Sequence, residues 1–198
     1  MINKKQLIAF LISLFCVATI SAQFNSDLVK MRAAEKVGQM NDYISFMANK
    51  KKSVENRQRY LEEALNLFIS KGNSYEENGV HKEGVLMEVT SVNRPGKRRE
   101  LIRDYFKRLI RLNYNDVNIT STDIAEIKVS NLQKTSDGQY VCTCQFDQAF
   151  VGYRDGRPVY KDITTKRVKC YITIDRTADG DEYIIKLGDT EAIATKRG

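Results

Sequence analysis

The sequence of 198 residues has no tryptophan and only one histidine, and these absences narrow the chemistry open to it. A single histidine, His81, excludes sites built from several imidazoles. Its neighbours Glu76, Glu77 and Glu83 make a charged loop, which favours a surface position for His81 over a catalytic pocket. No glycine-rich phosphate loop, nucleophile-elbow serine, HExxH pair or calcium loop occurs. The sequence therefore contains no motif that assigns a catalytic mechanism.

Cysteine is also scarce, with four residues in the whole chain. Cys16 lies in the N-terminal segment considered below, which leaves Cys142, Cys144 and Cys170. An odd number cannot pair completely within one monomer, and the C-x-C spacing does not match that of zinc knuckles. Two interpretations remain: three small core residues, or a disulfide from Cys170 to Cys142 or Cys144 in an oxidising compartment. We predict no metal and no cofactor.

Acidic residues are fewer than basic ones, 25 against 32, which gives a formal net charge of +7. An excess of this size permits weak attraction to phosphates or anionic lipid but requires neither. The basic clusters at 97–99, 107–111 and 166–169 are not interleaved with aromatic residues, and no nucleic-acid-binding motif is present. We therefore predict no nucleic-acid partner and interpret these clusters as solvated surface.

The first 22 residues, MINKKQLIAFLISLFCVATISA, have the layout of a secretory signal peptide. A positive n-region precedes an apolar run over 7–20, and small residues precede a predicted cut at Gln23. The apolar run is short for a bilayer span, although an uncleaved anchor is the alternative. We predict a signal peptide over 1–22 and one domain over 23–198. The mature chain would be periplasmic or secreted, with no membrane span after cleavage.

The N-terminal half of the mature chain shows the apolar spacing of helices. Steps of three and four residues predict helices over 28–47 and 54–70, and Ser53 is a good N-cap for the second. Alternation over 83–91 predicts a short strand. Helical spacing then returns over 97–113 and predicts a third helix.

After Tyr114 the hydrophobic period changes from helical spacing to two, which is typical of strands. The predicted strands cover 124–132, 139–153, 159–174 and 182–187. Such a meander cannot bury its apolar face alone, so the helices must cover it. The predicted fold class is α+β, with three N-terminal helices packed on an antiparallel sheet in the order α-α-β-α-β-β-β-β. The expected core includes Phe68, Tyr105, Phe106, Leu109 and Phe146.

This element order resembles the nuclear transport factor 2-like superfamily, whose members have a cystatin-like cone. The segments YLEEALNLF, GVLMEVTS and RDYFKRLIRLNY carry the resemblance. The chain is most similar to small exported members from Gram-negative bacteria, many of which have no assigned activity. The resemblance implies a curved sheet wrapped around helices over nearly the whole mature chain. It also implies that an enzyme of this kind would use a carboxylate or a histidine inside the cone, with tyrosines as hydrogen-bond donors.

Four polar residues are the pocket candidates on this basis: Glu88, Tyr105, Gln148 and Asp162. Asp162 shares its strand parity with Cys170, which places it inward unless a bulge intervenes. An inward Asp162 needs partners, because an unpaired buried carboxylate is very costly. An exposed or cross-strand-paired Asp162 is the alternative.

A second candidate site is the hairpin segment GYRDGRPVY. It carries Tyr153, Arg154, Arg157 and Tyr160, and tyrosine with arginine is typical of binding hot spots. The Asp-Gly pair accommodates positive φ and predicts a tight, projecting turn. Ordinary turn chemistry with hairpin aromatics explains the same residues.

The sequence favours an exported, non-catalytic binding or interaction domain. Its partner would be a small molecule held in the cone, an envelope protein, or a second copy of the chain. One alternative is a small-molecule enzyme using an inward carboxylate and tyrosines. The other is a structural envelope protein that dimerises through its sheet. A deep pocket with convergent polar groups would favour a ligand or a substrate over a partner protein.

Overall fold

The computed structural model describes residues 24–177 and 180–198, and the predicted signal peptide with its cut at Gln23 lies outside them. The helices are α1 (Ser26–Ala48), α2 (Val54–Leu65) and α3 (Ile102–Ile110), with 3₁₀ turns at Ile69–Gly72 and Ile124–Glu126. The first strands are β1 (Tyr75–Glu77), β2 (Val80–Lys82), β3 (Leu86–Ser91), β4 (Arg94–Leu101) and β5 (Asp116–Ser121). The later strands are β6 (Lys128–Val129), β7 (Gln133–Lys134), β8 (Tyr140–Arg154), β9 (Arg157–Thr177) and β10 (Gly180–Arg197).

The main sheet has the strand order β4-β3-β10-β9-β8-β5, with β6 and β7 also paired to β8. Its pairings are antiparallel except for the contact of β10 with β3, which is parallel at Thr190 and Met87. Strands β1 and β2 form a small separate hairpin. The helices with this curved, mostly antiparallel sheet confirm the predicted α+β class.

The long hairpin of β8 and β9 orders the inner face of the sheet. Its turn is the two-residue pair Asp155 and Gly156, and both residues have positive φ. Alternate residues of β8 from Cys142 to Gln148 are buried, while the residues between them are more exposed. Because directly paired residues point to the same face, their partners on β9 also point inward.

The three helices cover this inner face and close the core. Helix α1 buries a stripe that runs from Val29 to Met47, with the three- and four-residue steps that the sequence predicts. Asn25 caps α1 by accepting a hydrogen bond of 3.0 Å from the Leu28 amide. Ser53 caps α2 through the Asn56 amide at 3.2 Å, as predicted. No helix within 24–177 and 180–198 combines the length and apolar character that a bilayer span requires.

Several predicted element bounds are wrong. The segment expected to open a helix at 97 is strand β4, and the third helix begins at Ile102. The stretch KRRE at 97–100 has no apolar stripe to bury as a helix, whereas its backbone completes a ladder with β3. The predicted strand over 124–132 is a 3₁₀ turn followed by the two residues of β6.

Two further strands differ from the prediction in extent. Strand β5, Asp116–Ser121, was not predicted, although Val117 and Ile119 alternate with polar residues and are buried. Strand β10 continues to Arg197, ten residues beyond the predicted end at 187. Its polar end stays in the sheet because β9 is long enough to pair with it up to Asp162.

All five residues predicted for the core are buried: Phe68, Tyr105, Phe106, Leu109 and Phe146. Phe106 meets Phe68 edge to face, with ring centroids 6.0 Å apart, and it also contacts Tyr105. This aromatic group joins α3 to the segment that follows α2.

We expect Phe106→Ala to lower the free energy of unfolding by about 3–5 kcal/mol, since it removes a fully buried ring and leaves a cavity. Phe46 is the matched control because it is 37% exposed, and Phe46→Ala should cost less than about 1.5 kcal/mol. Urea denaturation of both variants measures the difference. Equal losses would contradict this placement of the core.

Candidate functional site

A cavity of about 570 Å³ lies between the β3–β4 hairpin, helix α3 and the turn end of the β8–β9 hairpin. One wall is apolar and is formed by Val89, Tyr105, Leu109, Leu112, Tyr114 and Phe150. Phe150 packs edge to face against Tyr114 and Tyr160 on its two sides. These contacts fix the rings, so the wall presents a preformed apolar surface.

A chain of polar groups forms the opposite side of the cavity. The hydroxyls of Ser91 and Tyr160 lie 2.8 Å apart, and the Tyr160 hydroxyl donates to a carboxylate oxygen of Asp162. Burial raises the pKa of Asp162, against the opposing effects of Tyr160 and Lys166. Burial, with the Asp162 hydrogen bond, likewise raises the pKa of Tyr160. Asp162 therefore points inward, as its strand parity predicts.

Lys166 is the most unusual residue of the cavity, because its side chain is a cation that is only 5% exposed. Its Nζ lies 3.8 Å from the sulfur of Met87 and 5.4 Å from the centroid of the Tyr105 ring. In the part of the chain that the structure describes, no carboxylate lies within 4.0 Å of this Nζ. Burial lowers the pKa of Lys166 from its ordinary value of 10.5 to about 8, although Asp162 opposes the shift.

The mouth of the cavity carries further basic residues, most of which are paired. Arg108 binds Glu100, and Lys97 lies 3.2 Å from a carboxylate oxygen of Glu88. Arg94 is exposed at the mouth and has no ion-pair partner within 24–177 and 180–198. Asp162 is the one acidic residue in the cavity lining that the structure describes. The cavity is therefore richer in positive than in negative charge.

Three of the four pocket candidates line this cavity, namely Tyr105, Gln148 and Asp162. Gln148 is held by donating its side-chain amide to Asn41 Oδ1 at 3.0 Å. Glu88 lies outside the lining. Burial acts to raise the pKa of Glu88, but hydrogen bonds from Arg99, Lys97 and the Ala192 amide outweigh it and lower the pKa.

Sequence reasoning missed Lys166 because it assigned the basic cluster 166–169 to the solvated surface. The alternation of side chains along the strand could have identified it. Lys166 lies two residues before Val168 and four before Cys170, so all three side chains point to the same face. Both of those residues are buried on the inner face, and Lys166 shares that face.

The structure separates the four hairpin candidates into two groups. Tyr160 belongs to the cavity, whereas Arg154 and Arg157 are exposed at the turn and Tyr153 is half-buried beside them. Arg154 lies over the Tyr114 ring, with 5.9 Å from its guanidinium carbon to the centroid. The turn is further tied down by Asn115, whose side chain accepts from the Asp155 amide at 3.1 Å.

The cysteines Cys142, Cys144 and Cys170 are buried free thiols on the inner face, beyond Lys166 along the hairpin. Cys142 and Cys170 are directly opposite in the ladder, which is one of the two pairings considered from the sequence. The Sγ atoms of Cys144 and Cys170 lie 3.7 Å apart.

No protein-family model and no curated protein matches the sequence. Among solved structures, a protein from Kribbella flavida is similar at 12% identity and a TM-score of 0.43, over 87% of this chain and 95% of that one. A protein from Novosphingobium aromaticivorans, provisionally named a scytalone dehydratase, is similar at 17% identity and a TM-score of 0.40. That match covers 87% of this chain and 90% of the other. Similarities this weak assign neither a family nor an activity.

We expect Lys166→Met to raise the stability of the free protein at pH 7, because a buried ammonium without an ionic partner is costly. The pKa of Lys166 is about 8 when folded and 10.5 ordinarily, so the full cost applies below pH 8. Between these values the unfolded chain binds more protons, so the wild type gains stability as pH rises. The stability advantage of Lys166→Met over the wild type should therefore shrink towards pH 10.5. The difference in free energy of unfolding should change by no more than about 1.4 kcal/mol per pH unit.

Urea denaturation across that pH range measures the difference between the variant and the wild type. Lys161→Met is the matched control, since Lys161 is exposed on the same strand and should change stability by no more than about 0.5 kcal/mol. A loss of stability in Lys166→Met at pH 7 would show that the ammonium is well compensated.

Proposed function

We propose that this chain is a small-molecule-binding protein whose cavity holds an amphipathic anion, an apolar body with a carboxylate at one end. The observation that carries the proposal is the Lys166 ammonium, which is buried in the cavity wall with no described carboxylate within 4.0 Å. We further propose that the chain is an exported member of the nuclear transport factor 2-like superfamily with one domain over 23–198. The element order and the helix-covered curved sheet support that assignment.

Charge complementarity supports an anionic ligand. A carboxylate beside Lys166 would supply the ion pair that the described protein lacks, and it would offset part of the cost of burying the ammonium. Arg94 at the mouth, which has no ion-pair partner among the described residues, adds positive potential that attracts an anion. Asp162 repels an anion, but it is already engaged by the Tyr160 hydroxyl.

The size and the wall of the cavity support an apolar body on the ligand. A volume of about 570 Å³ is within the range of small-molecule pockets, roughly 300–1,000 Å³. The aromatic and leucine side chains along α3 and β8 would pack against an aliphatic chain or an aromatic ring. A long-chain fatty acid or an arylalkanoic acid has both required parts.

A second candidate is an enzyme, and the polar chain through Ser91, Tyr160 and Asp162 favours it. A buried carboxylate of raised pKa, hydrogen-bonded to a tyrosine, is suited to act as a general base or acid. Lys166 would then hold the charge that develops on an oxygen of the substrate. Conversion of a bound acid into a product, lost in Asp162→Asn, would favour this candidate over simple binding.

We expect laurate to bind at least about tenfold more tightly than dodecanol, its neutral counterpart. The affinity of each is measured by displacement of the anionic dye 8-anilinonaphthalene-1-sulfonate from the protein. An ion pair to Lys166 accounts for a preference of that size, since a tenfold difference equals about 1.4 kcal/mol. In Lys166→Met the two compounds should bind equally, while Lys161→Met should keep the preference. Fluorescence titration measures both compounds with each of the three proteins, the wild type and the two variants. Equal affinity of laurate and dodecanol for the wild type would refute the anionic ligand.

The exposed arginines of the hairpin turn are our candidate contact with a partner, either an envelope protein or a second copy of the chain. Within the described residues, Arg154 and Arg157 form no ion pair, and the Asp155 amide in the turn between them donates a hydrogen bond to the Asn115 side chain. A carboxylate-rich surface would complement them.

The double variant Arg154→Ala with Arg157→Ala should fold with stability within about 0.5 kcal/mol of the wild type, because both side chains are exposed. It should weaken association, measured by sedimentation of the purified chain and by recovery of partners from the envelope fraction. Arg197→Ala, at an exposed site on β10, is the control. Unchanged association in the double variant would leave these residues with a turn-forming role alone.

A further inference from the structure

Three buried sulfur atoms converge at one point of the inner face. Strand β8 brings Cys142 and Cys144, two residues apart and on the same face, and β9 brings Cys170 opposite Cys142. All three Sγ atoms lie within 4.8 Å of one another, and the pair from Cys144 and Cys170 is 3.7 Å apart. Each residue is at most 3% exposed. The proposed ligand site makes no use of them, since none lines the cavity.

We propose that Cys142, Cys144 and Cys170 form a trigonal binding site for one monovalent copper ion. A metal–thiolate bond of about 2.3 Å places the sulfurs of a trigonal site about 4.0 Å apart. The observed spacing, from 3.7 Å to no more than 4.8 Å, brackets that value. Small side-chain rotations would therefore be enough to close the site around an ion.

The donor set favours monovalent copper over zinc. Structural zinc is almost always bound by four ligands, and the described residues add no histidine or carboxylate to this group of three. Soft sulfur donors favour monovalent copper. Sequence spacing alone could not identify such a site, because the third ligand comes from the neighbouring strand, 26 residues beyond Cys144.

Copper binding changes the charge of the site. Each thiol releases its proton to solvent as it binds the metal, so monovalent copper with three thiolates carries a net charge of −2. The positive charge of Lys30 acts on Cys142 and offsets it in part. No oxidant or reductant is required, since the ion binds in its monovalent state.

Access to the site would come from the edge strands that pair beside it. Strands β6 and β7 have two residues each, and Val129 of β6 pairs with Cys144. Opening such a short pairing breaks few hydrogen bonds, so it costs much less than global unfolding.

The competing chemistry is oxidation to a disulfide between Cys144 and Cys170. A disulfide has an S–S length of about 2.05 Å, so the 3.7 Å separation is that of two unbonded thiols. Oxidation would use two of the three copper ligands, so the copper site and the disulfide exclude each other. The two outcomes are separable by mass, because a disulfide lowers the mass of the chain by two hydrogens.

The test is anaerobic titration of the reduced protein with monovalent copper in competition with bathocuproine disulfonate. We expect one copper per chain, an ultraviolet thiolate-to-copper absorption, and three sulfur neighbours by X-ray absorption. Cys142→Ser and Cys170→Ser should each weaken binding by more than about 100-fold, since changes merely around metal ligands already cost 10–100-fold. Val168→Ala is the control, because it opens the packing opposite Cys144 and keeps all three sulfurs.

Circular dichroism of each variant establishes that it is folded, and Cys142→Ser is the safer variant because Cys142 is the least enclosed of the three. Failure of the wild type to hold copper against the chelator would overturn the proposal. So would full retention of copper by a folded serine variant, a tight zinc complex with a fourth ligand, or a native chain isolated with the Cys144–Cys170 disulfide. Ligand binding in the cavity is measured by a separate titration. The outcome of the copper experiment therefore neither supports nor refutes the proposed function.

Discussion

The register of the β8–β9 hairpin determines which side chains share the interior of this protein. The two-residue turn at Asp155 and Gly156 pairs Arg154 with Arg157, and continuing that register would set Cys142 opposite residue 169. One extra residue, Val159, bulges between the pairs at the turn and those beyond it, and this shifts the register by one. A shift of one residue exchanges the two faces of a strand relative to its partner. The bulge therefore brings the inward residues of both strands to the same side.

The buried ammonium of Lys166 lowers the stability of the fold that contains it. Removal of a charge from water is costly, and the ring of Tyr105 and the sulfur of Met87 compensate only in part. The buried carboxylate of Glu88, by contrast, receives three hydrogen bonds, and the half-buried Glu77 is bound by Lys169 and Tyr171. The contrast with Glu88 indicates that stability alone does not explain the retention of Lys166 in the cavity wall.

The sequence predicted secondary structure best where the same hydrophobic periodicity continues over many residues. Helix α1 and the paired strands β8 and β9 could be predicted because a single apolar pattern runs through each. Strand β4 could not, because its residues are nearly all polar and its backbone is satisfied only by pairing with β3. In the cavity, the strand parity of Asp162 correctly predicted an inward side chain. Lys166 was wrongly placed on the solvated surface because it is a lysine within a basic cluster, although its parity is the same as that of the buried Cys170. The register that joins Cys170 to Cys142 depends on a bulge that no local pattern indicates.

The junction between β3 and β10 determines where the sheet opens locally. Its one parallel pair is Thr190 with Met87, and side-chain carboxylates add two further links, from Asp189 to the Leu86 amide and from Glu88 to the Ala192 amide. The β3–β4 hairpin is thus held to the sheet by far fewer main-chain bonds than join β8 to β9. In hydrogen–deuterium exchange, the amides of this junction should exchange well before those of the long hairpin.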